Sequence, residues 1–347
     1  MDTQTISEYL RLNKLAVYYA EEQKEDFYGY IEAILQGDIH FNEGLLNRAA
    51  RSLEQALNHS ATVDQKVVAM HRLGRTYERL GDYGKALKIY QLAIKILKKG
   101  THADYYNLAL TYNNLAWLYY RKNNIKLAEK TYYLALNLIR GKTHNDLLGK
   151  IHNGLGILYD LQGKYEEAIG FFENSLVLTC SESDFYSVSA TYFNIGNIYK
   201  KRADEIVKRK KVIKKELPKQ AKEFYLQAIG WAEKCIKLTD RAGVGDETSQ
   251  DRILVSHCYF MLGNYSKASE YAEDAEKMAT RAGNPRDIAL SCKILGDIYL
   301  ATDKEGKVKA QKFYKRSLDN YQKLEDKIQT AKLQRLIELI SSPAPIK

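Results

Sequence analysis

Asparagines recur in this sequence at a spacing that suits binding chemistry. They stand at Asn113 and Asn114, at Asn153, and at Asn194 and Asn197, so that successive groups are about 40 residues apart. A carboxamide offers both N–H donors and an oxygen acceptor, so a row of them can hold the N–H and C=O groups of another polypeptide with little regard to its sequence. We interpret the row as a candidate site for binding a peptide main chain.

A cluster of arginines precedes the asparagine row. Arg72, Arg75 and Arg79 follow one another at intervals of three and four residues, which places them on one face of a helix. Guanidinium groups bind carboxylates through charge-assisted and often bidentate hydrogen bonds. The cluster predicts that one end of the site favours an acidic side chain or a free C-terminus of the partner.

Catalytic or metal-binding residues show no comparable pattern. The seven histidines are scattered, and the sequence has no H-E-x-x-H, no G-x-S-x-G and no G-x-x-x-x-G-K-[ST] motif. Cys180, Cys235, Cys258 and Cys292 lie too far apart for a zinc site or a disulfide framework, and we interpret them as reduced thiols. We predict a protein that is not an enzyme and has no metal or cofactor.

The composition fits a chain made almost entirely of helices. Only four of 347 residues are proline, which punctuates loops and sheet edges, while 45% are hydrophobic and 28% are charged. No apolar run approaches the ~18–20 residues that cross a bilayer, and the first residues show neither a basic nor an apolar leader. We predict a cytoplasmic protein without membrane contact.

An internal repeat indicates which elements position the candidate residues. Most copies begin with a hydrophobic residue, a small residue and, three positions later, a tyrosine; an alanine, an aromatic residue and a second small residue follow. We expect the small residue to let two helices approach closely, and the tyrosine to fill the next gap. The clearest copies are Leu73-Gly74-x-x-Tyr77 with Ala86, Tyr90 and Ala93; Leu115-Ala116-x-x-Tyr119 with Ala128, Tyr132 and Ala135; and Leu295-Gly296-x-x-Tyr299 with Ala310, Tyr314 and Ser317.

This pattern resembles the tetratricopeptide repeat, whose signature is L-G-x-x-Y followed by A-x-x-x-F. The closing proline of that repeat is missing, and successive copies are about 40 residues apart instead of the usual 34. Residues 113–119 (NNLAWLY) resemble kinesin light chain and residues 193–199 (FNIGNIY) resemble Pins-type adaptors, while similar long repeats occur in Rap-type bacterial regulators. The resemblance implies an all-α fold, a right-handed α-solenoid superhelix of about seven helix pairs.

The resemblance also divides the chain. Residues 1–27 would form an N-terminal capping helix and residues 28–324 the seven repeats, because a repeat at the end of a stack otherwise exposes an apolar face. Residues 325–340 would form a C-terminal capping helix, and residues 341–347, which contain two prolines, a disordered tail.

Helical geometry assigns the polar positions of the first helix in each repeat. At ~100° per residue, one set of positions packs, and the opposite set lines the concave face of the superhelix. In proteins of this family that face binds extended peptides, so the resemblance implies a peptide groove there. Arg121 also occupies one of the positions that line the concave face. The predicted groove residues are His71, Arg72, Arg75, Arg79, Asn113, Asn114, Trp117, Asn153, Asp160, Asn194 and Asn197.

The fifth repeat contains a basic insertion, at about residues 200–220. Eleven lysines and arginines against three acidic residues give Lys200–Lys222 a net charge of +8, out of +10 for the chain. The stretch to Glu216 has no glycine or proline, so we expect the first helix to continue and form a projecting hairpin, the basic spur. Its candidate contact residues are Lys208, Arg209, Lys210, Lys211, Lys214 and Lys215.

Three interpretations of the spur remain open: an extension packed on itself, a contact for an acidic protein surface, and, less favoured, a nucleic-acid contact. For the whole chain, the sequence favours an interaction scaffold that binds an extended segment of a partner protein. The alternatives are a peptide-sensing regulator resembling the Rap type and a nucleic-acid-associated adaptor. Against the Rap type, only about 27 residues precede the first repeat, where Rap-like proteins carry a helical bundle.

Overall fold

The computed structural model describes residues 25–99, 104–179, 185–209, 217–243, 249–302 and 306–341. These residues form helices and turns without any strand, which confirms the predicted all-α class. The helices of these ranges are α1 (Glu25–Asn42), α2 (Leu46–Asn58), α3 (Val63–Arg79), α4 (Tyr83–Lys99), α5 (Tyr105–Arg121), α6 (Ile125–Ile139), α7 (Asn145–Leu161), α8 (Tyr165–Leu178), α9 (Phe185–Arg209), α10 (Lys219–Arg241), α11 (Ser249–Met261), α12 (Tyr265–Arg281), α13 (Pro285–Thr302), α14 (Gly306–Lys323) and α15 (Lys327–Ser341).

The helices belong to two compact units, residues 1–164 and residues 165–347. In the first unit α1 packs on α2, α3 on α4 and α5 on α6. In the second unit α9 packs on α10, α11 on α12 and α13 on α14. Neighbours in the sequence are therefore neighbours in space, as the repeat predicts. Within the described ranges, none of these helices combines the length and the apolar character that crossing a membrane requires.

A left-handed residue ends the first helix of several pairs. Gly81, Gly163 and Gly263 have φ between 73° and 79°, and Asn123 takes the same place with φ 58°. Asparagine is one of the few residues with a side chain that adopts this conformation readily. After α5 the turn is closed by hydrogen bonds from Asn123 N to the Tyr120 carbonyl (2.8 Å) and from Asn124 N to the Tyr119 carbonyl (2.9 Å). In these pairs the turn starts the second helix at the same point.

An aromatic residue of the second helix occupies the centre of several pairs. Tyr90 and Tyr314 are fully buried, and a Cβ placed on Gly74 or Gly296 would lie 2.4–2.5 Å from their rings. At these two positions the small residue therefore makes room for a ring. The expected close approach of two backbones occurs at Gly196, where such a Cβ would lie 3.2 Å from a backbone carbonyl of α10.

The fifth repeat has long helices, as its insertion predicts. α9 continues ten residues past Tyr199 to Arg209, and Pro218 directly precedes α10. Ile206, Val207 and Leu217 pack against the core formed by α9, α10 and α11. The described part of the insertion is therefore held by the fold, while residues 210–216 lie outside the described residues.

Two predicted capping segments have different outcomes. The N-terminal segment lies almost wholly outside the described residues, which begin at Glu25. At the other end α15 packs on α14 through the buried Leu333, with Leu336, Ile337 and Ile340 partly buried. Its role as a cap, and the disorder expected for the tail, remain predictions.

Candidate functional site

The first unit contains a cavity of about 450 Å³ whose wall includes residues of α1, α3, α5, α6 and α7. Six of the predicted groove residues line it, namely Arg75, Arg79, Asn113, Asn114, Trp117 and Asn153. The other lining residues are Phe41, Glu78, Arg121, Tyr132, Lys150 and Gly154.

Equivalent positions of successive repeats explain why these residues meet. Asn113 and Asn153 both stand three residues before the small residue of their copy, and Arg75 and Trp117 both stand one residue after it. Because the first helices of the repeats have the same register, equivalent residues lie on the same face. The spacing of about 40 residues in the sequence therefore becomes a cluster of side chains around one cavity.

Amides and an indole form one part of the wall. Asn113 Nδ2 donates a hydrogen bond to Asn114 Oδ1 at 3.3 Å, which orients the two amides relative to each other. The indole of Trp117 lies against the ring of Tyr120, with centroids 4.8 Å apart. An amide side chain has more donors and acceptors than this one bond uses, so the pair retains hydrogen-bonding capacity.

Cationic side chains form the rest of the wall. The guanidinium groups of Arg79 and Arg75 lie over the ring of Phe41, 4.8 and 5.6 Å from its centroid, and cation–π attraction favours this placement. Arg121 Nη2 donates a hydrogen bond to the Tyr83 hydroxyl at 3.3 Å. With Lys150, the lining residues include four cationic side chains, which makes the cavity suitable for an anionic group.

Glu78 provides the only carboxylate among the lining residues. It accepts a hydrogen bond of 2.6 Å from the hydroxyl of Tyr90. Burial raises the pKa of Glu78, while the Tyr90 hydrogen bond and the charges of Arg75 and Arg121 act in the opposite direction. Glu78 is not among the predicted groove residues, although it follows Arg75 by three residues on the same helix.

Two lining residues outside the predicted groove set, Arg121 and Lys150, could be found from the helical register. Arg121 stands five residues after the small residue of its copy, as Arg79 does, and Lys150 lies one turn before Asn153. Phe41 belongs to the most degenerate copy, and Tyr132 comes from a second helix, so their places in the wall depend on the three-dimensional packing.

His71 does not line the cavity, contrary to the prediction. Its side chain is buried, with the residue 7% exposed, and Nε2 lies 2.6 Å from Thr111 Oγ1. Because Thr111 Oγ1 donates to the carbonyl of Asn107, it accepts from the His71 ring. Burial, together with the charge of Arg72, lowers the pKa of His71 to about 4, so its imidazole is neutral near pH 7. His71 is therefore a core residue.

Two further predicted residues of the first unit lie outside this wall. Arg72 Nε donates to both carboxylate oxygens of Asp38, at 2.9 and 3.0 Å, so its charge is already matched. Asp160 is half-buried on α7 and is not among the lining residues. The arginine cluster predicted from the sequence is thus divided, and Arg121 takes the place beside Arg75 and Arg79 that was expected for Arg72.

Asn194 and Asn197 are half-buried on α9, in the second unit. Near them, charged residues of the second unit pair with one another. Asp204 accepts from Lys200 Nζ at 2.8 Å, from His257 Nε2 at 3.1 Å and from the Tyr225 hydroxyl at 2.6 Å. Burial alone would raise the pKa of Asp204, but His257 and Lys200 hold it well below its usual range.

The basic spur is only partly described. Lys208 and Arg209 are exposed at the end of α9, where Arg209 lies 3.4 Å from Glu205. The other four candidates, Lys210, Lys211, Lys214 and Lys215, lie outside the described residues. Each of the three interpretations of the spur stays a prediction.

Comparison with known proteins adds a family match. The model described as "Tetratricopeptide repeat" matches residues 30–99, 69–140 and 107–176. A comparison with curated protein sequences finds no match.

Several solved structures share the fold. BtubC (BKLC) from P. vanneervenii is 19% identical with a TM-score of 0.54, over 76% of this chain and 94% of that one. A signal transduction ATPase with numerous domains that has a tetratricopeptide repeat sensor, from Pyrococcus horikoshii, is 17% identical with a TM-score of 0.66, over 97% of this chain and 50% of that one. A Rap protein complexed with competence and sporulation factor is 14% identical with a TM-score of 0.60, over 96% and 92%.

Proposed function

Because the chain belongs to the tetratricopeptide repeat family, we propose that it is an interaction scaffold that binds an extended segment of a partner protein in the cavity of its first unit. The observation that carries the proposal is the convergence of Asn113, Asn114 and Asn153 with Trp117 on one cavity. Stacked repeats commonly present such surfaces to other proteins.

The chemistry of the wall supports a polypeptide ligand. The amides can pair with main-chain N–H and C=O groups, and the indole of Trp117 offers an apolar surface for a side chain. A volume of about 450 Å³ lies within the ~300–1,000 Å³ that is common for ligand sites. The guanidinium groups would bind an acidic side chain or the C-terminal carboxylate of the partner.

We also propose that the protein binds its partner without catalysing a reaction and that it is cytoplasmic. The family match is to a repeat family that serves binding. In the cavity the one carboxylate, Glu78, is engaged by the Tyr90 hydroxyl, and His71, the one histidine predicted for the groove, is buried and neutral. These features favour binding over acid–base chemistry at this site.

A selected peptide provides the test. A library of random nine-residue peptides is panned on the full chain, and the tightest binders are titrated by fluorescence anisotropy. We expect the triple variant N113A/N114A/N153A to weaken binding at least tenfold, because it removes the amides that hold the main chain.

The matched control removes two exposed amides elsewhere in the same unit. Gln91 and Asn137 lie on the second helices α4 and α6, outside the cavity wall, so Q91A/N137A should bind as the wild type does. Both variants should keep the thermal midpoint within about 2 °C. Equal affinity of the triple variant and the wild type would refute binding through this cavity.

A ligand-switched regulator is the alternative, supported by the likeness in fold to a Rap protein complexed with competence and sporulation factor. A regulator of this kind should become more compact when a short free peptide binds. Small-angle scattering with and without a selected peptide distinguishes the two functions, since a scaffold should keep the same radius of gyration.

A further inference from the structure

The cavity of the first unit has more positive charge than its own acidic residues can match. Among the described residues, Arg75, Arg79 and Arg121 have no carboxylate oxygen within 4.0 Å. Clustered cations repel one another, most strongly where water is partly excluded. An anionic occupant would relieve this repulsion, so the arrangement favours a ligand with negative charge.

Glu78 is the exception in this wall, and it is fixed in place. Its carboxylate accepts the hydrogen bond of Tyr90, a residue that is fully buried. The ring of Tyr90 fits against Gly74, where a Cβ would lie 2.4 Å from it, so the hydroxyl cannot follow a moving partner. Glu78 therefore presents a stationary negative charge at the cavity wall.

We propose that the occupant of the cavity is an acidic peptide segment and that Glu78 is the residue that sets how strongly negative charge is preferred. The inference rests on the proposed function, which it deepens by naming the class of segment and a residue that controls its selection. Arg75 and Arg121 attract the acidic groups of the segment, and Glu78 opposes them by an amount that grows with the number of charges.

The size of the cavity makes this opposition effective. A compact volume of about 450 Å³ is about 10 Å across, which is close to the Debye length at 0.1 M salt. The interaction between Glu78 and a charge anywhere in the cavity is therefore only partly screened by salt. The same argument predicts that the effect weakens as salt is added.

Among the described residues, charged and titratable groups on several helices interact with Glu78. These include Arg75 on its own helix α3, Tyr90 on α4, Arg121 on α5 and Tyr132 on α6. Because burial raises the pKa of Glu78, its carboxylate takes up a proton at a higher pH than an exposed glutamate does. Protonation removes the opposing charge, so acidic peptides should bind more tightly as the pH is lowered toward that pKa.

A pair of matched variants tests the role of Glu78. In E78Q the amide oxygen still accepts from Tyr90, so the variant removes only the charge. E54Q is the control, because Glu54 on α2 accepts from the Tyr77 hydroxyl in the same way but lines a different cavity. The probes are three labelled peptides of nine residues, made of alanine and serine except at four central positions. These four positions carry four glutamines in the first peptide, two glutamates and two glutamines in the second, and four glutamates in the third.

For wild type we expect affinity to rise with the number of glutamates. E78Q should bind the uncharged peptide with wild-type affinity, the peptide with two glutamates about threefold more tightly, and the peptide with four about tenfold more tightly. E54Q should bind all three peptides with wild-type affinity. Equal affinities of E78Q and E54Q for the charged peptides would overturn the role of Glu78. Wild-type affinity that does not rise with charge would overturn the acidic class of ligand, and failure of all three peptides and of the panned peptides would refute the proposed function itself.

Discussion

Charged residues at equivalent helix positions behave differently in the two units. In the first unit Arg75 stands one residue after the small residue of its copy and has no carboxylate within 4.0 Å among the described residues. In the second unit His257 and Asp297 stand at that same position, and both are engaged by their neighbours: His257 by Asp204 at 3.1 Å and Asp297 by Lys293 at 2.7 Å.

The difference separates two uses of one scaffold. Charges that pair within the protein contribute to holding its helices together, while charges without an internal partner remain available to a ligand. The predicted consequence is that charge removal should lower stability in the second unit and ligand affinity in the first.

Asp251 provides the largest expected effect, because it departs from the pattern of satisfied charges in the second unit. Asp251 is 4% exposed, and burial raises the pKa of its carboxyl group to about 6 from 3.8. The folded state therefore holds the proton more tightly than the unfolded state, and stability falls as the pH rises from about 4 to 6. Relative to D251N, wild type should lose about 3 kcal/mol between about pH 3 and pH 7, most of it between pH 4 and pH 6.

Chemical denaturation of both proteins at a series of pH values measures this loss. If unfolding free energy depends on pH in the same way for wild type and D251N, the pKa of Asp251 is not raised in the folded state.

Removing Asp204 should have the next largest effect. D204A leaves Lys200, His257 and the buried Tyr225 without their shared acceptor, which should cost about 2 kcal/mol of unfolding free energy. The pKa of Asp204 is lowered in the folded state, so this contribution is present above pH 4 and is lost as the pH falls further. Thermal unfolding measures the effect: the midpoint of D204A should lie well below that of wild type at pH 7, and the difference between the two midpoints should be smaller at pH 3.

Removing the corresponding charges of the first unit should change binding and leave stability nearly unaffected. R75A/R121A should weaken an acidic peptide selected by panning at least tenfold, about 1.4 kcal/mol, while the unfolding free energy changes by less than about 0.5 kcal/mol. Isothermal titration and denaturation measure the two quantities. A loss of stability as large as that of D204A would erase the distinction between the units.

The smallest expected effects concern glycines at packed and open positions. Gly230 is in the middle of α10 with open space where a Cβ would be, so G230A should stabilise the protein by about 0.5–1 kcal/mol. Gly74 has the ring of Tyr90 in that place, so G74A should destabilise it. Thermal midpoints that move in the same direction would contradict the packing described for the two sites.

The order of helices was open to prediction because the repeat encodes it locally. The small residue and the aromatic residue of each copy, such as Gly74 and Tyr90, identify a helix pair without reference to the rest of the chain. The turn residue between the two helices is equally local, since Gly81 and Asn123 are residues that accept a left-handed conformation.

The candidate site was less predictable because its wall depends on partners far away in the sequence. The helical register places Asn113 and Asn153 on one surface, where both line the cavity, yet it places His71 there as well. The location of His71 is decided by Thr111, forty residues away, and that of Arg72 by Asp38, thirty-four residues away. Such pairings depend on side-chain length and rotamer, which the register of a single helix does not contain.

The contact between Gly74, Tyr90 and Glu78 links the interior of the first unit to its chemistry. The ring of Tyr90 fills the space next to Gly74, and its hydroxyl group fixes the position of the Glu78 carboxylate at the cavity wall. A change such as Y90F, hidden from any partner, would free that acid to swing toward the neighbouring guanidinium groups. Selectivity for a partner could thus drift during evolution through substitutions that no partner ever touches.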